Sequence, residues 1–398
     1  MEFSTLGELS IGGKGNYGIA ASAVSYSNEL YTYLRITDIT NDGRIDFSGL
    51  KSVDDVNAEK YLLKPNDIVF ARTGGSTGRN YFYDGYDGKF VYAGFLIKFS
   101  INPQKVNPKF IKYYCQSKEY KDWVNSYNTG STRGNINAQT YASMPIPLLP
   151  RKKQDEIASI LETIDAKISE NIHINENLEQ QAQTLYSAWF ENFIPFGGEI
   201  PSNWSAGCLG DIAKISTASF NPAKNPGVML EHYSIPAFDE KKFPVFETSD
   251  NIKSNKYTLS SSSVLASRLN PETKRIWRPL CISSNAVCST EFIVFNALNP
   301  LMKDFVYTII DSASFSKWMC SHTTGSTNSR QRTAPTKTLE FKISIPSEDV
   351  IKDFCSTVTP MYDLIAENSM EIQRLSKLRD TLLPKLMSGE IDVSNISL

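Results

Sequence analysis

The sequence predicts a mixed α/β (α+β) fold in which two similar globular domains are joined by two long antiparallel coiled-coil helices, giving a pseudo-two-fold internal repeat. Three observations support this fold class. Motifs from the first half of the 398-residue chain recur about 200 residues later. A long segment with heptad spacing follows each copy. Short alternating apolar segments, separated by Gly, Asn and Asp turns, make up most of the remaining sequence.

The internal repeat is carried by three pairs of short motifs. Leu-Gly-Glu-Leu at 6–9 returns as Leu-Gly-Asp-Ile at 209–212, Thr-Gly-Ser-Thr at 129–132 returns at 324–327, and Met-Pro-Ile-Pro at 144–147 is echoed by Ile-Ser-Ile-Pro at 343–346. These separations far exceed the 20 to 50 residues of solenoid repeats, so the repeating unit is a whole domain plus a helix. We therefore predict a first domain at 1–149, a central helix at 150–195, a second domain at 196–346 and a C-terminal helix at 347–398.

Both predicted helices show apolar residues at alternating steps of three and four, which is the pattern of a coiled coil. Asparagine occurs near the middle of each apolar stripe. Buried asparagines fix the register of a helix pair, because only one alignment lets their amides satisfy each other. The residues predicted to pair the helices are Ile157, Leu161, Ile164, Ile168, Asn171, Asn175 and Leu178 in the first, and Ile351, Val358, Ile365, Asn368, Ile372 and Leu375 in the second.

Two other arrangements of these helices remain open at this stage. Each stripe could pack on its own globular domain, or the helices could form a homodimeric coiled coil. The first helix is expected to run from residue 154 to residue 193, which contain no Gly or Pro, and the second to stop at Pro384 and Gly389. Each would then have close to 40 residues.

The globular domains are predicted to be β-rich, with strand-like stretches at 67–71 and 90–97. Helices are expected at 108–123 and 300–319. No apolar run reaches 18 residues, and the first residues contain neither a basic nor an apolar targeting segment, so we expect a cytoplasmic protein without a membrane span. Six cysteines without a CxxC pair and three widely separated histidines predict neither a zinc site nor a disulfide framework.

The net charge of −2 hides an uneven distribution. The two helical segments together hold 9 basic and 17 acidic residues, whereas the rest of the chain holds 32 basic and 26 acidic residues. Basic globular parts beside acidic helices are compatible with nucleic-acid binding by the globular parts. An ordinary solvated charge distribution explains the same counts, so charge alone does not decide between the two.

One loop combines glycines, hydroxyls and two guanidinium groups directly after the apolar run at 67–71. Backbone amides, hydroxyls and arginines all bind phosphates, so we expect DNA contacts from Arg72, Thr73, Ser76, Thr77 and Arg79. The loop lacks the Gly-Lys-Ser/Thr ending of a P-loop. Glycines at 13, 15 and 18 match GxGxxG, but no convincing strand precedes them. Turn geometry is the alternative explanation for all of these glycines.

The repeated Thr-Gly-Ser-Thr loops are the stronger candidates for DNA contact. Arginine reads guanine, asparagine and glutamine read adenine, and hydroxyls hold phosphates. A nucleophile elbow, a metal-spaced histidine cluster and a paired acid motif are not evident, which disfavours a hydrolase. The candidates in and beside the two loops are Thr129, Ser131, Thr132, Arg133 and Asn135, and then Thr324, Ser326, Thr327, Arg330 and Arg332.

The order of domain, helix, domain and helix resembles the specificity subunit of type I restriction-modification enzymes. The segments that carry the resemblance are TGSTRGNINAQTYASMPIPLLP at 129–150, QTLYSAWFENF at 183–193, NIKSNKYTL at 251–259 with VLASRLNP at 264–271, and LRDTLLPKLMSGEI at 378–391. Similarity covers almost the whole chain and is sharper in the helices. After the second Thr-Gly-Ser-Thr the chain departs from the first copy, so the base contacts of the two loops are not equivalent. In the second domain we include Arg268, Lys274, Arg275 and Arg278 as further candidates for DNA contact.

This resemblance implies a DNA-reading subunit without catalytic residues. Each globular part would be a target recognition domain that binds one half of an asymmetric, interrupted site in double-stranded DNA. The helices would set the spacer and dock two methyltransferase (modification) subunits, and restriction/translocase subunits would join the complex. The chain would carry no cofactor of its own, because S-adenosylmethionine, ATP and magnesium would belong to the partners.

Three alternatives remain open from the sequence. The chain could serve a methylation-only or related defence system with the same architecture. It could be a coiled-coil scaffold whose heads bind protein or carbohydrate, in which case it would show no salt-dependent DNA affinity. A stand-alone nucleotide-dependent enzyme is disfavoured by the missing phosphate-loop chemistry.

Overall fold

The computed structural model describes residues 2–127, 134–324 and 331–391. The chain divides into two compact units: unit 1 contains Met1–Ile168 and Arg374–Leu398, and unit 2 contains Ser169–Gln373. Each unit combines a β-rich globular part with one segment from each of two long helices. The predicted fold class is confirmed. The compact units differ from the four predicted parts, which follow chain order, because each long helix contributes to both units.

Unit 1 is built mainly from antiparallel strands and short helices. Its strands are β1 (Glu2–Thr5), β2 (Asn16–Tyr17), β3 (Ala23–Val24), β4 (Tyr31–Leu34), β5 (Lys51–Val53), β6 (Asp67–Ala71), β7 (Asn80–Tyr83), β8 (Phe90–Tyr92), β9 (Leu96–Ser100) and β10 (Pro145–Leu148). Its short helices are α1 (Pro108–Tyr114), α2 (Lys118–Ser126) and α3 (Ala138–Ala142), and the first long helix is α4 (Arg151–Tyr186). The sheets have the orders β2-β9-β6-β7, β3-β5-β4-β8 and β1-β10.

Unit 2 repeats this plan. Its strands are β11 (Ser205–Cys208), β12 (Ala213–Ser216), β13 (Ser219–Phe220), β14 (Met229–Tyr233), β15 (Val245–Thr248), β16 (Lys256–Thr258), β17 (Ser263–Ser267), β18 (Ile276–Trp277), β19 (Ala286–Ser289), β20 (Phe292–Ala297), β21 (Thr323–Thr324), β22 (Arg332–Thr333) and β23 (Lys342–Ile345). Its helices are α5 (Ile235–Lys241), α6 (Lys303–Ile310), α7 (Ala313–Ser321), α8 (Pro335–Thr338) and the second long helix α9 (Glu348–Met387).

The sheets of the two units correspond. The orders in unit 2 are β12-β20-β17-β18, β13-β16-β19-β14-β15, β11-β23 and β21-β22. A parallel pair occurs at the same place in both, namely β4 with β8 and β14 with β19. The internal repeat seen in the sequence is therefore a repeat of sheet topology, with an additional strand, β16, between β13 and β19 in unit 2.

The helices predicted at 108–123 and 300–319 are each broken in two, so the prediction of a single helix was wrong in both places. The breaks lie before Ser117 and Ser312, and both serines are buried. Ser117 Oγ accepts a hydrogen bond from Tyr120 N at 3.2 Å, and Ser312 Oγ accepts one from Phe315 N at 3.1 Å. Serine at this position caps a new helix, which ends the preceding one. The predicted strand at 67–71 coincides with β6, while the stretch at 90–97 contains two strands, β8 and β9.

The long helices have somewhat different ends from those expected. After α4, residues Ser187–Glu191 continue as a π-helical turn, and Phe193 adopts the left-handed backbone region with φ of 52°. Helix α9 continues through Pro384 and ends at Met387, before Gly389 with its φ of 76°. The predicted stop at Pro384 is therefore three residues early, whereas the predicted stop at Gly389 lies two residues beyond the end of the helix.

Within unit 2, α4 and α9 run antiparallel. Asn171 Nδ2 donates to Glu371 Oε2 at 2.7 Å, and Asn368 Nδ2 donates to Asn175 Oδ1 at 2.9 Å. Asn171 and Asn368 are buried. The central asparagines of the two stripes therefore meet, and their polar groups are paired inside the contact.

The same helical stripes also enter the core of the second globular part. Phe354 on α9 packs against Phe190 and Trp189, which follow α4, and against Phe305 on α6. Pairing with the opposite helix and packing on the domain, which the sequence left as alternatives, therefore coexist in unit 2. Of the residues predicted to pair, Ile157, Leu161, Ile164, Ile168, Asn171, Ile351, Val358 and Asn368 are buried, and Asn175, Leu178, Ile365, Ile372 and Leu375 are partly buried.

Within unit 1, a buried arginine ties the end of α9 to α4. Arg379 Nη1 donates to Asp165 Oδ1 at 3.0 Å, and its side chain is 8% exposed. Tyr113 on α1 donates from its hydroxyl to the other oxygen of Asp165 at 3.0 Å. One carboxylate thus links both long helices of this unit to its globular part.

The asparagine pair should behave as a coupled unit. Asn368→Leu leaves Asn175 Oδ1 without its donor, so we expect the free energy of unfolding to fall by about 1–3 kcal/mol. The double variant Asn175→Leu, Asn368→Leu removes both polar groups and should recover most of that loss. Urea unfolding of the four members of this cycle measures the coupling. Equal loss in the single and double variants would show that the hydrogen bond does not hold the pair together.

Candidate nucleic-acid interface

The two predicted loops of the first domain lie side by side. Thr73 forms an isolated β-bridge with Asn135, and Thr77 Oγ1 donates to Gly134 O at 3.0 Å across a separation of 57 residues. Ile136 N donates to Arg72 O at 2.9 Å. The segment that follows the first Thr-Gly-Ser-Thr motif is therefore held against the loop that follows β6.

Arg72 is the centre of this surface. Its guanidinium lies over the ring of Tyr17, 5.0 Å from the ring centroid. Its Nε is buried and has no hydrogen-bond partner among the described residues. Phe95, whose carbonyl accepts from Arg72 N at 3.0 Å, is 59% exposed, and Tyr17 is 42% exposed. A cation over an exposed aromatic ring is a combination that can bind a phosphate and offer a surface on which a base or sugar packs.

The remaining predicted residues of this loop mainly stabilise it. Arg79 is partly buried, and its Nη1 donates to Ile39 O at 3.0 Å. Gly78 O accepts a hydrogen bond from the Tyr120 hydroxyl at 2.6 Å. Thr73 and Ser76 are partly buried. These contacts keep the loop in place, while Arg72 Nε has no hydrogen bond within the described ranges.

In the second domain, Arg268 has the same backbone hydrogen bonds as Arg72 has in the first, and we call this set of hydrogen bonds the backbone frame. Strand β17 ends at Ser267 and pairs with β20. Arg268 N donates to Glu291 O at 2.9 Å, and Thr333 N donates to Arg268 O at 3.0 Å. The Nε of Arg268 is likewise buried without a hydrogen bond to any residue in the described part of the chain.

Arg72 and Arg268 are therefore equivalent residues in the two domains. Each directly follows a central strand, donates its N–H to the residue before the neighbouring strand, and accepts from the segment near its Thr-Gly-Ser-Thr loop. Arg72 and Arg268 are 196 positions apart, and so are Phe95 and Glu291. The backbone frame is repeated, but an aromatic ring occupies the flanking position in the first domain and a carboxylate in the second.

Glu291 holds two arginines. Arg332 donates from Nε and Nη2 to the two carboxylate oxygens at 3.0 and 2.8 Å, and Arg268 Nε lies 3.7 Å from Oε2. The hydrogen bonds from Arg332 lower the pKa of Glu291, which keeps the carboxylate charged. Thr324, which pairs directly with Arg332 across β21 and β22, donates from its hydroxyl to Arg332 O at 3.2 Å.

Known proteins share both the sequence and the architecture of this chain. Residues 1–180 match the family model described as the type I restriction modification DNA specificity domain. The specificity subunit of the type I restriction enzyme MjaIX of Methanocaldococcus jannaschii is 26% identical over 321 residues, covering 72% of this chain and 70% of that protein. The HindI specificity subunit of Haemophilus influenzae is 21% identical over 415 residues, covering 83% and 88%.

By the family model over residues 1–180 and by these relatives over most of its length, the chain is similar to the type I restriction-modification specificity subunits. Its fold is similar to the crystal structure of the S subunit from M. genitalium, with a TM-score of 0.56 at 16% identity, covering 97% of this chain and 95% of that one. A specificity subunit is the non-catalytic, DNA-specificity component of its complex. The resemblance seen in the sequence is thereby confirmed.

Three cations that the sequence predicts to contact DNA have carboxylate partners within unit 2. Lys274 Nζ lies 2.7 Å from Asp311 Oδ1. Arg275 donates from Nε and Nη2 to Asp239 at 2.6 and 2.9 Å. Arg278 makes the corresponding pair with Asp304 at 2.7 and 3.1 Å and also binds Asp363 at 2.8 Å. Arg332 has a carboxylate partner of the same kind, so these ion pairs do not exclude DNA contact. All three cations stay sequence predictions, and the proposed interface is built on Arg72, Arg268 and Arg332.

Several predicted DNA contacts of the specificity subunit lie outside the described residues and stay sequence predictions. They are Thr129, Ser131, Thr132 and Arg133 in the first loop, and Ser326, Thr327 and Arg330 in the second. Conversely, Tyr17, Phe95 and Glu291 were missed by the sequence reasoning. Aligning β6 and β9 with β17 and β20 at the constant separation of 196 residues would have found Phe95 and Glu291. No local sequence pattern points to Tyr17.

The GxGxxG match is explained by packing. A Cβ on Gly18 would come within 2.3 Å of the carbonyl oxygens of Tyr92 and Ala93, so glycine is required for the close approach of two backbone segments. No group of three or more His, Cys, Asp or Glu side chains in residues 2–127, 134–324 and 331–391 is arranged to hold a metal ion. Within the same ranges, no helix is long and apolar enough to cross a membrane.

Proposed function

We propose that this specificity subunit reads an asymmetric, bipartite site in double-stranded DNA, with the first globular domain on one half-site and the second on the other. The observation that carries the proposal is the equivalence of Arg72 and Arg268. Both are placed by the same backbone frame, and both have a buried Nε without a hydrogen bond among the described residues. Two unlike readers on one chain impose no palindromic symmetry on the target, so asymmetry of the domains becomes asymmetry of the site.

The side chains around the two arginines support different modes of contact. In the first domain Arg72 lies with Tyr17 and Phe95, a combination suited to phosphate binding and apolar contact. In the second domain Arg268 and Arg332 share Glu291, and arginine with a fixed orientation is suited to reading a base edge. Asn135 and Thr324 lie beside these residues and complete the proposed contacts in the described part of the chain.

We assign two roles to the long helices, which are to set the spacer between the half-sites and to bind the partner subunits. Each of α4 and α9 contributes a segment to both units, and the seam is held by specific pairs such as Asn175 with Asn368. A fixed seam suits a part that sets the distance between half-sites. Two methyltransferase subunits dock on these helices, and restriction/translocase subunits join through them. S-adenosylmethionine, ATP and magnesium belong to those partners.

Alanine at each arginine should affect one half-site only. In cells that express the chain with its methyltransferase partner, Arg72→Ala should weaken or relax the first half-site and Arg268→Ala the second, each by about 1–3 kcal/mol. A phosphate-contacting arginine should weaken all sequences alike and make the salt dependence shallower. Methylome sequencing and salt-dependent DNA binding of the purified complex measure the two effects.

Arg44→Ala is the matched control in the first domain, because Arg44 is partly exposed and already paired with Asp42. It should leave both half-sites unchanged. The proposal fails if Arg72→Ala and Arg268→Ala alter the same half-site, or if neither changes binding or methylation.

A further inference from the structure

The residue directly before β9 in the first domain differs from the residue directly before β20 in the second domain. In the first domain it is Phe95, and in the second it is Glu291. The two residues present the same backbone carbonyl to the equivalent arginine, at 3.0 and 2.9 Å. Their side chains are therefore a chemical difference between two sites whose backbone hydrogen bonds are alike.

Glu291 has the geometry of a residue that orients other side chains. Both of its oxygens accept from Arg332, through Nε and Nη2, while Arg268 approaches the same Oε2 from the β17 side. All three side chains are about one-third exposed, so the cluster is on the surface but is not fully solvated. The backbone of Arg332 is fixed as well, by an isolated bridge to Leu269 and by its pairing with Thr324.

This arrangement leaves the outward edge of the Arg332 guanidinium free of the carboxylate. With Nε and one N–H of Nη2 directed at Glu291, the N–H groups of Nη1 and the second N–H of Nη2 form the remaining fork. Such a fork matches the two acceptors, O6 and N7, that guanine presents in the major groove. Holding the fork in one orientation before binding reduces the entropy that DNA binding would otherwise remove.

We infer that Glu291 is a specificity-determining positioning residue of the second domain, which orients Arg332 and Arg268 to read guanine in the second half-site. This inference rests on the proposed function. The first domain has Phe95 at the corresponding position, so the effect is confined to one half-site. Glu291 itself acts through the arginines and does not need to touch the DNA.

The test is the target motif of Glu291→Gln, read by methylome sequencing of cells that express the chain with its methyltransferase partner. Glutamine keeps the size of the side chain but accepts from only one oxygen and carries no charge. We expect one or two guanine positions of the second half-site to become degenerate, with discrimination falling by roughly 5- to 150-fold. The first half-site and the spacer should stay as in the wild type.

Asp239→Asn is the matched control. Asp239 also binds an arginine bidentately, Arg275, in the same unit, but it has no part in the Glu291 cluster. Its substitution should leave the motif unchanged. A second variant, Arg332→Lys, keeps the positive charge but loses the fork, and it should relax the same positions as Glu291→Gln.

Each outcome decides between the inference and the proposed function. An unchanged second half-site in Glu291→Gln would overturn the inference while leaving the bipartite reading intact. If Glu291→Gln abolishes methylation at every site, Arg332→Lys decides: relaxation at guanine positions supports the inference, and a wild-type motif overturns it. A wild-type complex that methylates no bipartite motif would instead refute the proposed function.

Discussion

Replacing Asp304 with alanine should lower the free energy of unfolding of unit 2 by about 3–5 kcal/mol, because it leaves a largely buried arginine without its partner. Asp304 is buried and accepts from Arg278 Nε and Nη2 and from the Thr359 hydroxyl at 2.7 Å. Arg278 keeps its pair with Asp363, but Asp363 is mostly exposed and cannot replace the two lost hydrogen bonds. The cluster joins β18, α6 and α9, so its loss weakens the attachment of the helix to the second globular part.

Urea unfolding followed by tryptophan fluorescence measures this effect. Of the five tryptophans, Trp189, Trp204, Trp277 and Trp318 lie in unit 2, whereas Trp123 lies in unit 1. The fluorescence change therefore reports mainly on unit 2. Asp239→Ala is the control, since Asp239 is about half-exposed and an exposed ion pair contributes about 0–1 kcal/mol. Equal destabilisation by the two substitutions would contradict the assigned role of the buried pair.

Lengthening both long helices should change the spacer of the DNA target without changing either half-site. Four residues inserted in α4 after Ile168 and four in α9 after Gln373 keep the helices matched in length. Four residues add about 6 Å and slightly more than one turn, so the apolar stripe stays nearly in phase. Since each base pair rises about 3.4 Å, the spacer should lengthen by about one or two base pairs. Methylome sequencing of cells carrying the variant reads the spacer directly.

The control for the helix insertion uses the same four residues in an exposed loop. The turn that contains Gly85 and Tyr86, between β7 and β8, is suitable because Tyr86 is largely exposed. This insertion should leave the spacer and both half-sites as they are. Altered half-sites with an unaltered spacer in the helix variant would show that α4 and α9 do not set the distance.

The sequence alone determined the fold class, the two-fold repeat and the family. These conclusions depend on patterns that are local or periodic. The spacing of Ile157, Leu161, Ile164 and Ile168 reports a helical face without knowledge of what covers it. The boundaries were less predictable, because the serine caps at Ser117 and Ser312 depend on where the neighbouring chain requires a bend.

Only the tertiary structure decided which arginines are paired with carboxylates. Arg72, Arg275 and Arg278 look alike in the sequence, and all three follow β-rich stretches. The carboxylates that neutralise Arg278 lie 26 and 85 residues away, and the one that orients Arg332 lies 41 residues away. An ion pair requires its charges within about 4 Å, and the fold brings these distant residues together. The contact of Arg72 with Tyr17 and the ion pairs at Glu291 are therefore properties of the folded chain.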